Sequence, residues 1–345
     1  MACLNTGALQ ITKVFSKSDY PNTKEIMKTP ILSICIPTYN RAIYLEEILI
    51  SIISQRRFQE TNDVEIVISD NCSEDNTTEV CEKYIEKYSG KIRYYRNDEN
   101  IHDANFEKVL SYGNGVFLKL NNDTLKHYEN TLDLIIRVLI QNNIDKNIIF
   151  FTNGYLNFST EILCENLNSF VKNASYWTTW IGSFGIWKED FDKLENFSRN
   201  SKNQLVQTDV LLRQISSGKS ALVVNIILFE GIKPKSKGGY NFFKVFVIHY
   251  LDLLEEYKKK KLLSRTTLFN EKTKLMRYFI IPWVSVLTSN QTGYSFDMKG
   301  MFSVIFKKFR FHPILYIGVL IFLIKKIQSS LKTIPLVQLN SSKLK

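Results

Sequence analysis

The sequence predicts an α/β fold with a mostly parallel central sheet flanked by helices, and two observations predict it. Short runs of β-branched and apolar residues end in polar loops, at 31–36 before Pro37-Thr-Tyr-Asn-Arg41 and at 64–69 before Asp70 and Asn71. Each run is followed by a helical pattern; after the first, apolar residues recur at Leu45, Ile48, Leu49, Ile52 and Ile53. Strand–loop–helix units of this kind build a parallel sheet, and such sheets bind ligands beyond the carboxyl ends of their strands.

The alternation continues in order. A helix is expected over 42–55, a strand over 64–69, and a helix over 77–88, where Asp75 and Asn76 offer short polar side chains to its first amides. A strand over 92–96, a helix over 104–111 and a strand over 116–120 complete a first half, residues 31–125. Residues 126–230 form a second half: a helix over 128–141, a strand over 147–152, a hairpin-like stretch to Leu163, a helix over 209–216 ending at Gly218, and a strand over 220–225. Residues 1–30 read as a polar extension without the apolar core of a signal peptide.

From residue 231 the style changes. Residues 1–230 carry 24 Lys and Arg against 29 Asp and Glu, whereas residues 231–345 carry 21 against 5. Lys233, Lys235 and Lys237 with Gly238-Gly239 read as a mobile basic loop, followed by helices over 242–261 and 270–289. The apolar segment 313–324 lies between Lys307, Lys308 and Arg310 on one side and Lys325 and Lys326 on the other. A spanning helix needs about 20 apolar residues, so this segment reads as an in-plane anchor or, alternatively, a buried packing helix. Cations interleaved with apolar residues favour an anionic lipid surface over nucleic acid, for which no recognised module accompanies the charge.

Other chemistries lack their motifs. Five scattered cysteines without a Cys-x-x-Cys pair argue against zinc and a disulfide framework and for a reducing compartment. No HExxH, GxSxG or GxxxxGK[ST] string is present.

The string SICIPTYNR, followed by IVISDNCSEDNT, RNDENIHDANFEKVL and GNGVFLKLNNDT, resembles the nucleotide-binding half of family 2 glycosyltransferases of GT-A fold, and most of all abequosyltransferase-type enzymes of surface polysaccharide assembly. The resemblance covers residues 31–124 well, reaches more faintly to Asn225, and does not cover the C-terminal third. It implies an inverting transfer from a nucleotide-sugar donor to a saccharide or lipid-linked saccharide acceptor, in O-antigen or capsule assembly, by a protein peripheral on the inner face of the cytoplasmic membrane.

It also implies roles for residues. Pro37, Thr38, Tyr39, Arg41, Asp70, Asn71, Asn105 and Asn122 would line the nucleotide site, with Pro37 ending its strand and Asp70 accepting from the base; the alternative for Asp70 is a helix-capping or turn residue. Asp123 would hold Mn²⁺ or Mg²⁺, in a motif where Asn121 and Asn122 stand in place of the family's further carboxylates. Lys119 or Lys126 offer charge that partly replaces the metal. The base that deprotonates the acceptor would be Asp209, with Glu189 and Asp190 as rivals; the plainer reading of Asp209 is a helix N-terminal acid. Trp177, Trp180 and Trp187 would stack on acceptor sugars or pack as core. The depleted acidic motif also admits a GT-A-like module that binds nucleotide or glycan without transferring.

Overall fold

The structure, a computed structural model, describes residues 29–158, 160–235, 237–288 and 294–332; the expected extension lies outside them up to residue 28. Four parallel strands, β1 (Leu32–Thr38), β2 (Val64–Asp70), β3 (Ile92–Arg96) and β4 (Phe117–Leu120), lie in the order β3-β2-β1-β4. Helices α1 (Ala42–Ile53), α2 (Arg56–Glu60), α3 (Thr77–Lys87) and α4 (Ala104–Ser111) connect them. Both faces of the sheet are covered, as parallel sheets require. Alternate residues therefore enter different cores: Leu32, Ile34 and Ile36 pack with Leu45, Ile48 and Ile52 of α1, while Cys35, Val67 and Leu118 face the opposite side with Val109 and Leu110 of α4.

The second half adds β5 (Leu125–His127), α5 (Thr131–Gln141), β6 (Ile148–Phe151), β7 (Glu161–Cys164), α6 (Leu167–Ala174), β8 (Gly185–Trp187), α7 (Lys188–Lys193), α8 (Val206–Ser216), β9 (Ala221–Val224) and β10 (Phe229–Gly231). Strand β8 closes the central sheet antiparallel to β4, and β10 pairs with β5. The hairpin expected after β6 does not form, because β9 inserts between β6 and β7 and pairs with both. Beyond it lie β11 (Lys237–Asn241), α9 (Tyr250–Lys259), α10 (Arg265–Lys274), α11 (Ile281–Leu287), β12 (Tyr294–Asp297), α12 (Met301–Phe309) and α13 (Pro313–Lys332). π-helical turns at Lys244–His249 and Leu275–Ile280 lead into α9 and α11.

Three further expectations change. Strand β1 runs through Pro37, which pairs with Ser69, and ends at Thr38. Residues 31 and 35 turn their carbonyls toward β4, so by alternation Pro37 does too, at a point where β4 has already ended and no amide hydrogen is needed. The basic stretch expected to be a mobile loop instead contains β11, which pairs with β12. The apolar segment 313–324 is the first part of the 20-residue helix α13. Among the described residues no helix is long and apolar enough to cross a membrane.

Candidate active site

The carboxyl ends of β1 and β4 meet. Thr38 Oγ1 donates to Asp123 Oδ2 at 3.1 Å. In front of them the loop after β1 opens a cleft of about 580 Å³, lined by Tyr39, Asn40, Arg41, Tyr44, Asp75 and Lys235. Its volume falls within the usual range for small-molecule sites. Asn40 takes a left-handed backbone (φ 52°), its side-chain oxygen accepts from Glu74 N at 2.7 Å, and its amide donates to Ser73 Oγ. Asp75 accepts from Ala42 N and from Thr77, so the starts of α1 and α3 are tied together beneath the cleft.

A segment from the C-terminal third crosses this edge. Ile232 N donates to Thr124 O at 2.8 Å, Lys235 N donates to Tyr44 Oη at 2.8 Å, and the neutral Tyr240 phenol of β11 lies near Asp103, whose negative charge adds to burial in holding the phenol protonated. Nothing local in the sequence marks this segment as part of the site, since its position depends on contacts with residues about 100 to 190 positions earlier. The Asp103 carboxyl itself does not line the cleft. Burial lifts its carboxyl to about 6, and its side chain has no hydrogen-bond partner among the described residues.

Residues 33–183 match the model of glycosyl transferase family 2. The chain carries a family 2 glycosyltransferase domain. Abequosyltransferase RfbV of Salmonella typhimurium is 46% identical over 86 residues, 25% of each chain. GalNAc(5)-diNAcBac-PP-undecaprenol beta-1,3-glucosyltransferase of Campylobacter jejuni is 32% identical over 96 residues, 27% of this chain and 29% of that one. The matches thus span little more than a quarter of these relatives' lengths. In fold, the chain is similar to S. aureus TarS 1-349 in complex with UDP, with a TM-score of 0.52, 16% identity and coverage of 79% of this chain and 78% of that one; the α/β architecture is GT-A-like.

Several residues expected to touch nucleotide lie behind the cleft of this glycosyltransferase domain. Asp70 is fully buried. Its Oδ1 accepts from Ser73 N and Oγ, and its Oδ2 accepts from Tyr94 Oη at 2.9 Å, with Arg96 nearby. It organises the loop after β2, the turn role weighed against base contact. Asn71 accepts from Ile101 N and donates to Asn100, holding the loop before α4. Asn105 accepts from Ser69 Oγ at 2.6 Å and donates to Ser69 O at 2.9 Å, pinning α4 to β2. All three are interior fasteners of the loops that shape the cleft, because buried amides and carboxylates must be fully partnered.

The metal position was tested on its donor atoms. Asn121 is unavailable: its Oδ1 faces His127 Nε2 at 2.9 Å and its Nδ2 donates to Leu125 O. Asn122, the residue before Asp123, has in contrast a buried Oδ1 without a hydrogen-bond partner. One carboxylate and one orphaned amide oxygen fit a hard cation that keeps waters and phosphate oxygens in its shell, although no group of three His, Cys, Asp or Glu side chains occurs among the described residues. Lys119 cannot replace the metal. Its ammonium is buried, donates to Leu120 O and Gly182 O, and lies 4.6 Å from the Phe229 ring centroid; desolvation lowers its pKa to about 7.

The expected base is also corrected. Asp209, in the first turn of α8, is fully buried and clamped by Arg199 and Arg213, whose Nε atoms lie 2.8 and 3.0 Å from its Oδ2. It is not among the residues that line the cleft. Glu189 and Asp190 sit in α7, at the wrong end of the sheet: Lys188 N bonds Val116 O, beside the amino end of β4, and Asp190 pairs with Lys219. Trp187 is buried, with Nε1 donating to Asn147 O at 2.7 Å. Trp177 and Trp180 instead flank Tyr155, beside the second half of the domain.

Proposed function

We propose that the protein transfers a sugar from a nucleotide-sugar donor to a hydroxyl of a lipid-linked saccharide, with inversion, in the assembly of a surface polysaccharide of O-antigen or capsule type. The observation that carries this reading is the convergence of Thr38 and Asp123 behind the cleft formed by Tyr39, Arg41, Tyr44 and Lys235. Aromatic rings suit a base and ribose, and the cations suit a diphosphate. Asp123 and Asn122 would hold the divalent cation, which offsets diphosphate charge when bound. The chain's own residues shape the slot and supply positive charge from Arg41 and Lys235.

The names of the two relatives support the substrate classes, one an abequosyltransferase and the other acting on an undecaprenol-linked glycan. Support for peripheral contact with the inner face of the cytoplasmic membrane comes from α12 and α13. Phe302 is 76% exposed and Phe311 88%, beside exposed Lys307 and Arg310. An apolar groove of about 630 Å³ lies between α11, α12 and α13. Apolar area and cations together are the two signals that stable attachment takes.

One observation favours a second reading, a nucleotide- or glycan-binding module without transfer: the acid at the expected base position is locked in an ion-pair cluster. A thermal-shift panel of UDP, CDP, GDP and dTDP, with and without Mn²⁺ or Mg²⁺, tests the donor site, because a bound nucleotide stabilises the fold by mass action. We expect one nucleotide to raise the melting temperature, more so with cation, and Asp123→Ala to lower donor turnover about 100-fold or more. If no nucleotide shifts the melting temperature, the donor site is refuted. Binding without any nucleotide release or transfer selects the second reading.

A further inference from the structure

A second depression, of about 440 Å³, is lined by residues including Tyr155, Asn157, Asn173, Trp177, Lys274 and Tyr278. We infer that it binds a pyranose ring of the acceptor, at a subsite one or more sugar units from the reacting hydroxyl. The inference rests on the transfer reading above and extends it to the acceptor side.

The platform is built rigidly. Asn153 and Gly154 are consecutive left-handed residues (φ 55° and 73°) just after β6. The buried Asn153 side chain holds that turn, accepting from Leu228 N and Phe229 N at 2.7 and 2.8 Å and donating to Phe229 O at 2.9 Å. From the end of β9, the buried Asn225 donates to Leu156 O and Phe158 O and accepts from Leu156 N. A loop pinned by two interior asparagines thus presents Tyr155, which is 53% exposed although it stacks on Trp177, with centroids 4.4 Å apart and planes within 2°. Folding alone does not call for an exposed tyrosine on so constrained a turn. Tyr278, on the same lining, is 57% exposed, and Asn157 and Asn173 belong to that lining too, the Asn173 Nδ2 donating inward to Ser169 O at 2.8 Å and leaving its oxygen for a ligand. Flat aromatic faces ringed by amides match a sugar, whose C–H face is apolar and whose rim carries hydroxyls.

The depression also leads toward the donor cleft. Trp180 lies 6.0 Å from the Tyr155 centroid and 6.4 Å from Phe229. Phe229 belongs to β10, which pairs with β5 directly after Asp123 and Thr124. Two rings therefore connect the platform to the strand end that carries Asp123. Lys274 and Tyr278 come from α10 and the π-turn after it, so the C-terminal third completes the subsite.

The test is a titration of tryptophan fluorescence in the full chain with methyl α-mannoside, methyl β-galactoside and methyl N-acetyl-β-glucosaminide. We expect saturable quenching by at least one glycoside, weakened about tenfold in Tyr155→Ala, as loss of a stacking ring implies, and largely restored in Tyr155→Phe. Tyr278→Ala, at an exposed position, is the second variant should Tyr155→Ala fail to fold. No quenching in the wild-type chain, or equal affinity in the alanine variants, overturns the subsite. The nucleoside diphosphate shift measured on the same samples separates the outcomes: retained, only the subsite falls; absent, the donor reading falls as well.

Discussion

Strand β4 of the donor half and helix α10 of the C-terminal third each bury one ionisable side chain deep among apolar residues, and the two are solved differently. Lys119 is surrounded by carbonyls and aromatic faces, with no carboxylate bonded to it. Glu271 accepts from Ser175 Oγ and Tyr250 Oη, and burial lifts it to about 7. The acid joins three segments far apart in sequence. The lysine is held by two backbone carbonyls, Leu120 O of its own strand and Gly182 O from the second half, with the rings of Phe151 and Phe229 over it. Buried charge in this protein therefore serves to lock elements together rather than to meet substrate, and Asp209 with its two arginines is the extreme case.

The sharpest way to break that comparison is Asp209→Asn. Removing one partner of a buried ion pair costs about 3 kcal/mol or more, so the variant should lose that much stability in urea melts. Its turnover per folded molecule should change less than about threefold. A fall of about 100-fold or more, the size expected for a lost general base, would return Asp209 to the chemistry.

The pH dependence sharpens it next. Glu271 has a folded pKa raised to about 7 from 4.5, so the folded state binds the extra proton between these values. Its stabilising contribution is full below 4.5 and is lost as pH rises through 7. Lys119 has a folded pKa lowered to about 7 from 10.5. Its contribution is present above 10.5 and is lost as pH falls through 7. Melting temperatures across pH 5 to 9 should thus flatten on the acid side of 7 in Glu271→Gln and on the alkaline side in Lys119→Met. The same slope change from both variants would contradict the assignment.

The smallest effect belongs to the exposed face of α12. Phe302→Ser with Phe306→Ser should reduce sedimentation with anionic vesicles about tenfold, given the apolar area removed, and wild-type binding should weaken with salt. Unchanged binding would remove this helix from any membrane contact.

Much of the donor half was legible. Strands β1 to β4 and helices α1, α3 and α4 were expected within a few residues, because period and punctuation are local signals. Thr38, Tyr39, Arg41 and Asp123 do gather at one sheet edge. Asp70, Asn71 and Asn105 were rightly singled out as polar groups at strand ends, but residue type does not say whether a polar group faces the cleft or the interior. After residue 125 legibility falls. The insertion of β9 between β6 and β7, the closing strand β8 and the crossing segment at 232–241 all depend on long-range pairing.

By itself the sequence determined the alternation of strand and helix, the parallel sheet and the edge where the cleft opens, since each follows from apolar period and turn chemistry within some thirty residues. Only the tertiary structure decided which carboxylates are spent in the interior and which stand near the cleft. That choice depends on which arginines, hydroxyls and amides arrive from distant segments to satisfy a buried charge.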